Sequence, residues 1–178
     1  LNAAGPEVLF ALHSLLDRHR KLELPNGEVL SLREDTYIFG TMNPTSLRDY
    51  AGTQSLNKAF ADRWVIWDKP FPNKKQLDAI FEKRYPKLQK EYRELIIKLA
   101  TEINNSFMSD DISINIETPM SLRTIVERIP IGLDVYAESS DPLKDTWENF
   151  VLPHVNKEDL DHYKTLWNTI VRKGPSIK

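Results

Sequence analysis

The sequence predicts an α/β layer over residues 1–68, built of helices, short strands and a hairpin, followed by a separate all-helical bundle over residues 73–178. Three observations predict it. Up to residue 68, an apolar repeat at helical spacing gives way to two-residue alternation around Asn26-Gly27, then to two short apolar runs. Lys69-Pro70-Phe71-Pro72-Asn73 sets two prolines in three residues, which stops both helix and sheet. Beyond that point the apolar spacing is mainly helical.

The elements follow in order. Val8, Leu9, Leu12, Leu15 and Leu16 recur at three and four residues, and Pro6 suits a first helical turn, so residues 6–17 are expected to form one helix. Residues 21–32 alternate on both sides of Asn26-Gly27, the strongest short hairpin signal. Tyr37-Ile38-Phe39 and Trp64-Val65-Ile66-Trp67 read as short buried strands. In the bundle, residues 74–84 form a helix closed by Tyr85-Pro86. Residues 87–107 form a long one with Leu88, Tyr92, Leu95, Ile96, Leu99 and Ile103 on one face. Residues 112–116 alternate and read as a short extended piece. Helices are expected over 121–128, 142–151 and 157–172. Trp64, Trp67, Trp147 and Trp167 are expected to anchor cores.

Composition narrows the function. The 178 residues allow one domain or two small ones. The net charge of −2 is a poor basis for coating nucleic acid. At 40% hydrophobic and 28% charged, the chain can bury a core. There is no cysteine, which excludes disulfides, thiolate nucleophiles and Cys-based metal sites, and fits a reducing, cytoplasmic setting. No apolar run approaches the length of a membrane span. The four histidines lack a metal-binding spacing, and His13 and His162 read as packed or solvated. Arg18-His19-Arg20-Lys21 is a basic run at a helix end, where cations suit the helix dipole.

The segment with chemistry in it is Thr36-Tyr-Ile-Phe-Gly-Thr-Met-Asn-Pro44. It delivers Asn43 to the carboxyl end of an apolar strand, where ligands bind in open α/β sheets. Asn43 there suits orienting a water or bonding a phosphate oxygen. Read alone, an Asn-Pro pair is more often an ordinary turn. Arg63 stands immediately before the second strand, where its planar fork can reach a phosphate. Read alone, such an arginine is usually a surface ion-pair residue.

Taken together, "PEVLFALHSLLD", the hairpin, "YIFGTMNP", "GTQSLNKAFADRW" and "PMSLRTIVER" resemble the AAA+ ATPases of the MoxR, cobaltochelatase and midasin group, over about residues 1–130 and in the family's order. The resemblance implies a partial P-loop NTPase core with an all-α lid over residues 73–178. It implies Asn43 as sensor 1, placing the attacking water, and Arg63 as the arginine finger acting on a neighbouring subunit's ATP. It implies Arg123 as sensor 2 on the γ-phosphate, with Arg128, five residues on, as the alternative. The implied substrate is ATP with Mg2+. The implied assembly is a homo-oligomeric ring, usually hexameric, acting on a protein client, in many members with a partner carrying a von Willebrand A domain. Phosphoryl transfer needs positioning and charge rather than covalent chemistry, and a finger in trans is worth roughly 10³–10⁵ in rate.

Two family motifs are not in this sequence. None of the six glycines precedes a lysine, so Walker A is absent. Val65-Ile66-Trp67-Asp68 is followed by Lys69, so it is not a Walker B Asp-Glu. Leu1-Asn2 resembles the segment just after Walker B, so the chain is expected to be the carboxyl-terminal part of a larger subunit and inactive by itself. Without the mid-sheet Walker A strand, the Tyr37–Phe39 strand is expected to expose backbone edges and apolar side chains. The rival reading is a non-catalytic interaction module derived from a lid.

Overall fold

A computed structural model describes residues 1–42, 55–109 and 116–172. The chain divides into two compact units, Leu1–Asp68 and Lys69–Lys178.

In the first unit, α1 (Pro6–Ala11) and α2 (His13–Leu16) replace the single helix expected over 6–17. The chain turns at Leu12, and the Asp17 amide closes α2 on the His13 carbonyl at 3.0 Å. His13 packs between the rings of Phe10 and Phe60, with centroids 5.3 and 5.1 Å away. The hairpin forms as β1 (Lys21–Glu23) against β2 (Val29–Ser31), with Leu22 opposite Leu30. Its turn differs from the two-residue Asn-Gly kind. The Gly27 amide donates to the Leu24 carbonyl at 2.9 Å, so Pro25 and Asn26 are the central residues. Gly27 then takes a φ of 85°, the left-handed position that a bulged hairpin turn requires. Arg20 also has a positive φ, 51°, and its guanidinium ties down the Glu34 and Thr36 carbonyls beyond the hairpin. A short α3 (Lys58–Ala61) is capped by Asn57, whose side chain accepts from the Ala59 amide at 2.8 Å.

Two sequence expectations fail in this unit. Tyr37–Phe39 and Trp64–Trp67 are not strands, and the one ladder among the described residues is β1 with β2. Phe39 is 91% exposed and Trp67 87%, so Trp67 is not a core anchor. The physical reason is that an extended segment becomes a strand only by pairing, and no described segment pairs with these. The α/β layer is therefore reduced to short helices and one hairpin. Phe60 is the one fully buried apolar side chain described in residues 1–68.

The second unit holds the rest of the described core. α4 (Lys74–Arg84) begins with a capping box. The Asn73 side chain accepts from the Gln76 amide and the Gln76 side chain from the Asn73 amide, each at 3.0 Å. α5 (Lys90–Phe107) buries Ile96, Leu99 and Ile103, as the spacing predicts, together with Ile97, Ala100, Asn104 and Phe107. Arg93 joins α5 to α4 through Asp78 at 3.0 Å and Glu82 at 3.5 Å. Most of the extended piece expected over 112–116 lies outside the described residues. After it, residues 116–120 are pinned from two sides. The buried Asn104 amide bonds both backbone groups of Met120, at 2.8 and 3.1 Å. The buried Asp159 carboxylate accepts from the amides of Glu117 at 3.1 Å and Thr118 at 2.7 Å.

The helix expected to end at Arg128 continues instead. A π-helical turn (Thr124–Arg128) leads into α6 (Ile129–Val135) with Pro130 inside it. In α register the Val126 carbonyl would take the amide of residue 130, which proline lacks. The Tyr85 hydroxyl donates to that carbonyl instead, at 2.7 Å. α7 (Pro142–Thr146) runs on through a π-helical turn (Trp147–Val151), and α8 (Leu160–Trp167) follows. Trp147 stacks on Trp167 and Tyr163, with centroids 4.9 and 5.8 Å apart, so the two bundle tryptophans are core anchors. Gly132 lets α6 approach α7 closely. A Cβ there would lie 2.5 Å from Thr146 Cγ2 and 3.1 Å from the Phe150 ring.

Two stability changes follow. Asn104→Leu leaves both Met120 backbone groups buried without their partner and should destabilise the fold by about 1–3 kcal/mol. Gly132→Ala forces the buried Thr146 against its neighbours and should cost about 1–3 kcal/mol. Urea denaturation of each variant against the parent chain checks both values, and an unchanged midpoint refutes the corresponding contact.

Candidate functional site

The best-defined constellation among the described residues surrounds Arg63. The short helix α3 ends just before it, and the Arg63 amide closes that turn on the Phe60 carbonyl at 3.3 Å. Its Nε donates to Asp17 Oδ1 at 2.7 Å. Its Nη1 donates to the Ala59 carbonyl one turn back. The pair is partly shielded, with side-chain exposures of 27% for Arg63 and 43% for Asp17. The hydrogen bond from Arg63 holds the Asp17 carboxyl below its ordinary value of 3.8, against the opposing effect of burial. The same bond holds the Arg63 guanidinium above its ordinary value.

A guanidinium has five N–H donors. Two are engaged here, and the remaining donors have no acceptor among the described residues. Arg63 opens onto a groove of about 510 Å³ that Arg18, Arg20, Asp17, Phe39 and Trp67 also line. Three arginines against one carboxylate make this groove electropositive, and its donors suit an anionic ligand. The lining has no carboxylate pair for acid–base work. Among the described residues, no group of three or more His, Cys, Asp or Glu side chains is placed to hold a metal ion.

The other candidates stand apart from this cluster. Asn43 and Gly52-Thr53-Gln54 lie outside the described residues. Arg123 belongs to the second unit, in the first turn of the helix leading into α6. Ser121 caps that helix by accepting from the Thr124 amide at 3.1 Å. The Arg123 side chain is exposed and has no polar partner among the described residues. Arg128 is half-buried, 3.5 Å from Thr124 Oγ1. Sequence reasoning missed Asp17, and it read Arg18 and Arg20 only as part of a basic run at a helix end. Asp17 stands 46 residues from Arg63, and no local spacing joins them.

No helix of the described residues is long and apolar enough to cross a membrane.

Comparison with known proteins gives partial matches. The chain is 28% identical over 135 residues to the aerobic cobaltochelatase subunit CobS of a Sinorhizobium species, covering 70% of this chain and 40% of that protein. It is 37% identical over 67 residues to midasin of Giardia intestinalis and 41% identical over 66 residues to midasin of Dictyostelium discoideum. Each midasin match covers little more than a third of this chain and 1% of the midasin. The chain thus spans well under half the length of these relatives. No family model matches, and no solved structure matches. These distant similarities support an AAA+ relationship.

The ion pair makes a pH prediction. Asp17 has a lowered value in the fold, so its stabilising contribution is complete above the ordinary 3.8 and is lost as pH falls through the lower folded value. Carboxyl-carbon NMR should place the Asp17 midpoint below 3.8 and return it toward 3.8 in Arg63→Ala. A midpoint that ignores the substitution refutes the pairing.

Proposed function

We propose that this chain is the sensor and lid part of a MoxR-like AAA+ ATPase, which hydrolyses ATP in an oligomeric ring and remodels or activates a partner protein. The observation that carries the reading is the reach of the CobS similarity. It covers 70% of the chain, more than either structural unit alone, so it extends over both. The free donors of Arg63 and the electropositive groove beside it add chemical support.

In this reading Asn43 orients the attacking water. Arg63 offers its free N–H groups to the γ-phosphate oxygens of ATP bound by a neighbouring subunit, which stabilises charge as the γ-phosphoryl group passes from the leaving ADP to water. Arg123, as sensor 2, touches the γ-phosphate within its own subunit, from the lid over residues 73–178. A finger acting in trans calls for a ring, taken here as hexameric. Arginine N–H groups fit phosphate oxygens, so these residues would supply position and charge. Lacking the Gly-Lys-Ser/Thr cradle, the chain by itself is inactive. The client is a protein, reached directly or through a von Willebrand A-domain partner, in the cytoplasm.

Steady-state ATP hydrolysis by the whole gene product tests the reading. Asn43→Ala should nearly abolish turnover while sparing ATP binding. Arg63→Ala should lower turnover by roughly 10³-fold and recover in mixed rings with Arg63-intact subunits. Unchanged turnover in both variants overturns the assignment and favours a non-catalytic interaction module.

A further inference from the structure

We infer that Asp17 is the positioning residue for Arg63, holding its guanidinium in one orientation so that the free donors face the groove before any phosphate arrives. The inference rests on the proposed role of Arg63 as a finger and adds a residue which that role does not include.

The geometry carries it. An arginine side chain has many rotamers, and a solvated one samples most of them. Arg63 is held at two separate nitrogens, Nε by Asp17 and Nη1 by the Ala59 carbonyl. Two anchors on a planar group fix both its position and the rotation of its plane. The anchors come from different places in the sequence, the end of α2 and the last turn of α3, so the orientation records how those helices meet. Arg63 lines the groove together with Arg18 and Arg20, and its other N–H groups have no acceptor among the described residues. A carboxylate that merely neutralised Arg63 would occupy the donors a ligand needs. Asp17 uses the Nε donor and leaves the others. A partly exposed ion pair also adds little to stability, so removing the carboxylate should disorient Arg63 without unfolding the unit.

Two measurements test this, one of them independent of turnover. In the 178-residue chain, NMR of the arginine Nε–H groups should show a slowly exchanging Arg63 signal. Asp17→Asn should broaden or average it, and Asp17→Glu should retain it, since the carboxylate is kept. In the whole gene product, Asp17→Asn should lower kcat by about 10–100-fold with KM little changed, the loss expected of a misplaced charged group. The double variant Asp17→Asn, Arg63→Ala should turn over no more slowly than Arg63→Ala alone, because Asp17 acts through Arg63. An Arg63 signal unchanged by Asp17→Asn overturns the inference, as does a double variant slower than Arg63→Ala by the full Asp17 factor. A strong Arg63→Ala defect with normal Asp17→Asn turnover overturns it while sparing the finger. Normal turnover in Arg63→Ala removes the finger and Asp17's positioning role together.

Discussion

The helical unit is organised by the pinning of residues 116–120. This stretch has no regular structure, yet it runs through the interior with Ile116 and Met120 buried. Irregular backbone can be buried only if its amides and carbonyls find partners. Asn104, on α5, supplies a donor and an acceptor to Met120 at once. Asp159, just before α8, takes the amides of Glu117 and Thr118, and Tyr163 on α8 donates to the Thr118 carbonyl at 2.8 Å. The stretch therefore works as a strap between α5 and α8. It also sets where the helix bearing Arg123 begins, because Ser121 follows Met120 directly. The polar contacts, not the apolar ones, determine register here, since apolar packing tolerates sliding that a two-point amide pair does not.

The first unit shows what the same backbone rule does where partners are few. Its apolar runs at Tyr37–Phe39 and Val65–Trp67 expose their side chains, and its described residues bury one apolar side chain fully. What shapes it is polar and local: the Asn57 cap, the Gly27 turn, the Arg20 clasp on Glu34 and Thr36, and the bond from Arg63 to Asp17. The cap and the turn are local, the Arg20 clasp spans 14 and 16 residues, and the last bond spans 46. The Asp17 to Arg63 bond, with His13 packed on Phe60, ties α2 to α3.

Legibility in the sequence followed the range of the interaction. The end of α4 was readable because Tyr85-Pro86 is a local signal. The hairpin was readable too, though Pro25 moved the turn forward one residue by presetting its own φ. The end of the helix at Arg128 was misread because Pro130 normally stops a helix. Tyr85, 41 residues before Val126, satisfies the Val126 carbonyl that Pro130 leaves open, and no short window of sequence contains both. The two strands were misread for a related reason. Apolar runs state a preference for burial, while pairing depends on a neighbour that the run does not encode. At the candidate site, Arg63 was legible from its position beside an apolar run, whereas Asp17 was not, since a helix-ending aspartate is ordinary.

The contrast between Arg63 and Arg123 bears on how each would serve a phosphate. Arg63 is anchored before any ligand comes, so much of its rotamer freedom is already lost in the free protein. Arg123 is exposed and without a polar partner among the described residues, so it must be ordered by whatever it binds. Binding energy spent on ordering a side chain does not lower a barrier, while a charge already in place costs no reorganisation at the moment of reaction. On the proposed reading, the anchored arginine is therefore the one suited to act on rate. The unanchored one is suited to sense occupancy, because its own ordering changes when the phosphate arrives or leaves. That division of labour follows from the neighbours each arginine has, not from its residue type.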